Sequence, residues 1–327
     1  MSLDQVNLLN VGLMIGACLA AFVLPFELFL FSYAVLGPLH YLTQISWLHT
    51  RGYFTTGKND YILLVLLCAC VGLLKFVATG IDATGWATTI VIVAFASAFA
   101  IAFFDSLWVK VATAGGSFVV ARLISDLDAS RVIFVTFIPT IIHVYLFTAA
   151  FMLYGALRSR SATGFASLAI FAACSASFFL FQSPAHPLSS YTVESYELFA
   201  PLNVELSAWL GMSPLAGESD VYYSAPGVML MRFIAFAYTY HFLNWFSKTS
   251  VIQWHKIPRP WAIVNVALWI ASLGLYAWDY RIGMLTLFTL SFLHVFLEFP
   301  LDHQTFVNIG RELVRLPRGA HARTTPR

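Results

Sequence analysis

Residues 27–54 read ELFLFSYAVLGPLHYLTQISWLHTRGYF. A bilayer is crossed by about 20 apolar residues at 1.5 Å each. The stretch is apolar and long enough for that, yet it carries His40 in its middle and His49 at its end. The rest of the chain is alike: 59% of its 327 residues are hydrophobic and 10% are charged, with a mean hydropathy of +0.78. A water-soluble domain cannot bury so much apolar surface. The fold class expected is therefore all-α, a polytopic integral membrane helix bundle. No basic run with interleaved aromatics points to nucleic acid, so membrane lipid is the expected surrounding.

The same ruler places ten spans, near residues 8–24, 27–48, 60–80, 86–104, 106–121, 132–155, 163–183, 226–247, 260–278 and 281–300. The opening MSLDQVNLLN lacks the basic residues of a cleavable signal, so the first span is expected to stay as a helix. With ten spans, Arg51, Lys58, Lys110, Arg158, Arg160, Lys248, Lys256 and Arg259 fall on one side. Arg311, Arg315, Arg318, Arg323 and Arg327 join them. Only Arg122, Arg131 and Arg281 fall on the other. That asymmetry puts both termini in the cytoplasm, and the inner membrane of a bacterium is the expected location. Lys75 and Arg232 sit near the outer ends of their spans and are expected to snorkel to the interface.

One transmembrane domain is expected over residues 1–310, followed by a basic cytoplasmic tail over 311–327. The long outer loop, 184–225, holds Glu194, Glu197, Glu205, Glu218 and Asp220 and neither Lys nor Arg. Its SYELFAPLNVELSAWLG portion could form a surface-lying helix, with a lid, an interfacial anchor or an inert ordered loop as the alternatives. Cys18, Cys68, Cys70 and Cys174 form no CxxC pair and read as small apolar residues.

His40 is not alone. Counted from the outer ends of their spans, His40, His143, His241 and His294 lie at depths within about 6 Å of one another. Polar side chains in hydrocarbon pair with one another or line a cavity. Neutral imidazole is the commonest protein ligand for transition metals, so the four are the expected metal ligands. Helical spacing then suggests partners on the same faces. Glu298 is four residues after His294, Gln44 four after His40, Asn244 three after His241, and Thr140 three before His143. Glu298 is the expected catalytic group. Pro38 and Pro139 precede two of the histidines and are expected to open their helices locally. His49, His255 and His303 fall at the cytoplasmic rim, as simple interfacial residues or as a second metal position. His186 and His321 lie away from the site. Haem is a competing cofactor, because His241 and His255 have the spacing of two haem ligands on one helix.

GPLHYL, IIHVYLF, YTYHFLNWF and FLHVFLEFPLDH resemble the histidine-bearing segments of the Brp/Blh family. Those are integral-membrane enzymes of bacteria and archaea that cleave β-carotene to retinal with a histidine-bound iron. The resemblance implies iron ligands at His40, His143 and His241 and leaves the role of His294 open. The family's early motif reads like PHGALD, where this chain has Thr43 and Gln44. Its later motif supplies two histidines four apart, where position 245 here is Trp.

The function expected is a membrane-embedded oxygenase with Fe(II) or another transition metal, acting on an apolar lipid such as a carotenoid or other isoprenoid. The alternatives are a transporter or channel binding protons or a metal ion at its buried histidines, and a haem-bearing electron carrier.

Overall fold

The computed structural model describes residues 1–77, 82–181, 187–212, 215 and 218–315. Among them the secondary structure is helical, with no strand. The first half of the chain forms α1 (Leu3–Val23), α2 (Pro25–Thr50), α3 (Tyr61–Val77), α4 (Ala83–Phe103), α5 (Leu107–Ile124) and α6 (Asp128–Ser159). The second half forms α7 (Ala162–Leu180), α8 (Ser190–Tyr196), α9 (Ala200–Trp209), α10 (Glu218–Tyr223), α11 (Ala225–Ser247), α12 (Arg259–Trp278) and α13 (Tyr280–Arg315). Eight of these, α1, α2, α4, α5, α6, α7, α12 and α13, are long and apolar enough to cross a membrane. They mark a multi-pass integral membrane protein.

Each of the ten expected spans falls on a helix, and two of those helices miss the same criterion for different reasons. α3 is apolar but short. α11 is long enough but carries Arg232, Thr239, His241 and Asn244. It is also the most enclosed: 17 of its 23 residues are buried, because it runs through the bundle against α1, α2, α6 and α7. A helix that shows lipid no face need not be apolar all round. α5 is the opposite, with only 6% of its apolar window buried.

Local sequence sets the helix starts. Ser2 and Gln5 form a reciprocal capping box at α1. Asp82, Ser161 and Ser224 each accept the backbone N–H three residues on, at the starts of α4, α7 and α11. Pro25 breaks α1 from α2 and occupies the first turn of the new helix. Pro38 and Pro139 have the expected effect. Ser32–Leu36 of α2 and Val132–Phe147 of α6 are π-helical, a wider winding that absorbs the hydrogen bond proline cannot donate.

Hydrogen bonds sort the loops onto two ends. At the first, Thr163 Oγ1 donates to Asp4 Oδ1 at 2.6 Å, and Lys110 pairs with Asp60 at 2.7 Å. Trp47 Nε1 donates to Ile252 O at 3.0 Å, and Gln304 Nε2 to Phe54 O at 2.9 Å. At the second, Arg131 meets Asp82 and Asp126 at 2.9 and 3.1 Å, and Tyr280 Oη donates to Leu30 O at 3.1 Å. Ile309 of α13 packs with Leu157 beside the first group, so Met1 and Arg315 share an end.

Three expectations are sharpened. Arg232 reaches toward the outer end of α11 but not into the open: it is 3% exposed, with its guanidinium 5.4 Å from the ring centre of Phe22, one residue from the end of α1. The last helix does not stop at residue 300 or 310. It carries on through Pro300 to Arg315, because Asp302, Thr305 and Ile309 are buried against the bundle. Of the alternatives for the acidic loop, the structure shows an ordered, packed segment. α8 and α9 plug the second end, with Tyr196, Leu202 and Leu206 in the main apolar core and Tyr196 Oη donating to Asn203 Oδ1 at 2.6 Å. The Lys75 side chain, His186, His321 and residues 316–327 lie outside the described residues.

Candidate metal centre

Four helices each deliver one imidazole to the same point. His40 leaves α2 just after its π-helical turn, and His143 lies within the π-helical part of α6. His241 is on α11 and His294 on α13. All four are buried, and one ligand atom from each lies within 4.8 Å of the others. His241 Nε2 is 3.2 Å from His40 Nε2, and His294 Nε2 is 3.2 Å from His143 Nε2. Imidazole nitrogens bound about 2.0–2.1 Å from one ion stand about 3.0–3.4 Å apart at neighbouring positions. The set is therefore one that can hold a metal ion, and among the described residues it is the only such group.

The outer contacts differ from those that helical spacing suggested. His241 Nδ1 is held at 2.8 Å by Thr148 Oγ1 of α6, not by Asn244, which instead accepts from Tyr240 Oη at 3.4 Å. Glu298 shares a helix with His294, but its Oε2 lies 3.6 Å from Nδ1 of His143. Thr140 turns back to donate to Thr136 O along its own helix. Gln44 is buried beside the cluster, with Oε1 making no hydrogen bond among the described residues. Sequence reasoning missed Tyr41, which stacks on His294 with ring centres 4.2 Å apart, and Thr148. Both act on a histidine of another helix, so no periodicity within one segment points to them.

Trp245 of α11 and Thr43 of α2 meet beside the cluster. Trp245 Nε1 donates to Thr43 Oγ1 at 3.0 Å, and the indole packs edge-on to His40 at 5.4 Å.

The rim histidines do not assemble. His49 Nδ1 contacts Tyr53 Oη at 3.3 Å, His303 Nε2 contacts Phe95 O at 2.8 Å, and His255 is exposed beside Trp254. Among the described residues the three therefore form no second metal group, and each stands apart. His241 and His255 do not share a helix, because α11 ends at Ser247. That removes the two-ligand haem spacing.

Two cavities flank the cluster. The larger, about 440 Å³, touches His143, His241 and His294 and is walled by Tyr33, Tyr41, Phe199, Tyr238, Phe242 and Phe292. No charged side chain lines it, and it extends to Ala87 and exposed Thr84 of α4. The smaller, about 290 Å³, touches His40 and His241 from the other side and is lined by Gln44, Asn244, Lys248 and Glu298. Comparison with known protein-family models, curated proteins and solved structures finds no match to this chain.

Proposed function

We propose that the chain is a metal-dependent oxygenase of the bacterial inner membrane, with Fe(II) at His40, His143, His241 and His294 and an apolar lipid as substrate. Carotenoids and other isoprenoids are the class that the aromatic cavity suits, in keeping with the resemblance to the Brp/Blh segments. The observation that carries the reading is the convergence of four imidazoles, three of them on the wall of an aromatic cavity without charged lining. Iron in an all-imidazole set supplies O2 activation. The chain's own residues do the rest. Tyr41 and Phe242 align an apolar substrate against the cluster, Thr148 fixes the His241 ring, and Glu298 holds or moves a proton beside His143.

The test is purification in mild detergent after anaerobic iron loading, metal analysis, and O2 consumption with a panel of isoprenoids. About one iron per chain and substrate-dependent O2 uptake are expected. Less than about a tenth of an ion per chain would overturn the reading.

The meeting of the two cavities at the cluster favours a second reading, passage of a proton or metal ion. It expects flux in proteoliposomes and no O2 uptake.

A further inference from the structure

The smaller cavity differs from its neighbour in chemistry. Both have mostly apolar walls, but only this one is lined by charged groups, Lys248 and Glu298, and by the side-chain amides of Asn7, Asn10, Gln44 and Asn244. It begins at the end of the bundle that holds the N-terminus, where Leu3, Ser159 and Val251 are exposed. It ends at His40, Gln44 and Glu298, which are 1%, 1% and 4% exposed.

Three atoms at that deep end have no hydrogen-bond partner among the described residues: Gln44 Oε1, Glu298 Oε2 and His40 Nδ1. A buried polar atom left unsatisfied is costly, and in folded proteins such atoms are met by protein or by ordered water. The 3.6 Å from Glu298 Oε2 to His143 Nδ1 is beyond hydrogen-bond reach. The cavity's volume of about 290 Å³ far exceeds what one water needs.

We infer that this cavity is a water-filled vestibule, through which the aqueous phase on the N-terminal side reaches the face of the histidine cluster opposite the aromatic cavity. Its ligand is water, together with small hydrophilic solutes that travel in it. The two cavities then divide the supply: apolar molecules meet the cluster through the aromatic cavity, and water meets it from the N-terminal end. The inference does not depend on the metal reading, since it rests on the unsatisfied atoms and the shape of the cavity.

The test is cysteine accessibility in the full chain. Cys18, Cys68, Cys70 and Cys174 are replaced, and single cysteines are placed by Asn244→Cys and Thr305→Cys in the vestibule. Thr140→Cys reports on the aromatic cavity, and Ala235→Cys on a packed position of α11. Sealed vesicles of both orientations, sorted by an N-terminal tag, are treated with a permanently charged thiosulfonate. N244C and T305C are expected to react at least about tenfold faster than A235C, and only from the N-terminal side. T140C is expected to resist the charged reagent yet react with an uncharged, lipid-soluble maleimide. Reaction of both vestibule cysteines at the A235C rate would show a dry cavity and overturn the inference. So would labelling from the opposite side, or equal labelling of T140C by the charged reagent. Two vestibule positions guard against one variant failing to fold. Neither readout needs bound iron or turnover.

Discussion

Thr148 Oγ1 and His241 Nδ1 meet at 2.8 Å across the contact between α6 and α11. The bond fixes one nitrogen of the ring and leaves Nε2 to face the other imidazoles. Outer partners of this kind typically change metal affinity by about 10- to 100-fold when removed. Thr148→Val should weaken metal binding by that factor, whereas Thr148→Ser should restore most of it. Competition with a calibrated chelator measures both.

Single His→Ala changes should separate the four central histidines from the rim. His40→Ala, His143→Ala, His241→Ala and His294→Ala should each reduce iron well below one per chain. His49→Ala, His255→Ala and His303→Ala should leave it near one, because those rings contact Tyr53, solvent and Phe95 O. Metal retention in H294A would show that three ligands suffice.

Glu298→Gln keeps the size of the side chain beside His143 but removes its capacity to hold a proton. Iron content should stay near that of the unaltered chain, while O2-dependent turnover falls by about 10²- to 10⁴-fold. An unchanged rate would take Glu298 out of the chemistry.

The Trp245–Thr43 hydrogen bond joins α11 to α2 directly beside His40. In thermal unfolding, a double-mutant cycle of Trp245→Phe and Thr43→Val should give a coupling of about 0.5–1.5 kcal/mol. Additive effects would mean that the indole acts by packing alone.

Ala87 lies on the arm of the aromatic cavity that extends toward α4. Ala87→Phe should raise the substrate concentration needed for half-maximal rate several-fold, with iron content unchanged. Steady-state kinetics at saturating O2 would check this.

Much of this architecture is legible in the sequence because the bilayer imposes a length on every span. Each expected span lies on a helix, and the common depth of His40, His143, His241 and His294 points to their convergence. What surrounds the imidazoles is not legible. Asn244 sits three residues from His241 on its own helix, yet a threonine on α6 takes the bond. Glu298 follows His294 by one turn, yet faces His143. Both outcomes depend on how helices rotate against each other, which spacing along one chain does not encode. The reach of α13 was hidden because the span ruler stops where the apolar run ends, whereas Asp302, Thr305 and Ile309 beyond Pro300 are held by packing against the bundle. The cover over Arg232 was hidden for a related reason: the ring of Phe22 that receives it belongs to α1.

The placement of His294 on the final helix has a consequence for biogenesis. While the ribosome is still making this chain, three of the imidazoles can already be inserted, but the fourth corner arrives only with the last segment. The four-imidazole set is therefore completed only once α13 has been made, and a polypeptide that stops before His294 lacks one of its corners.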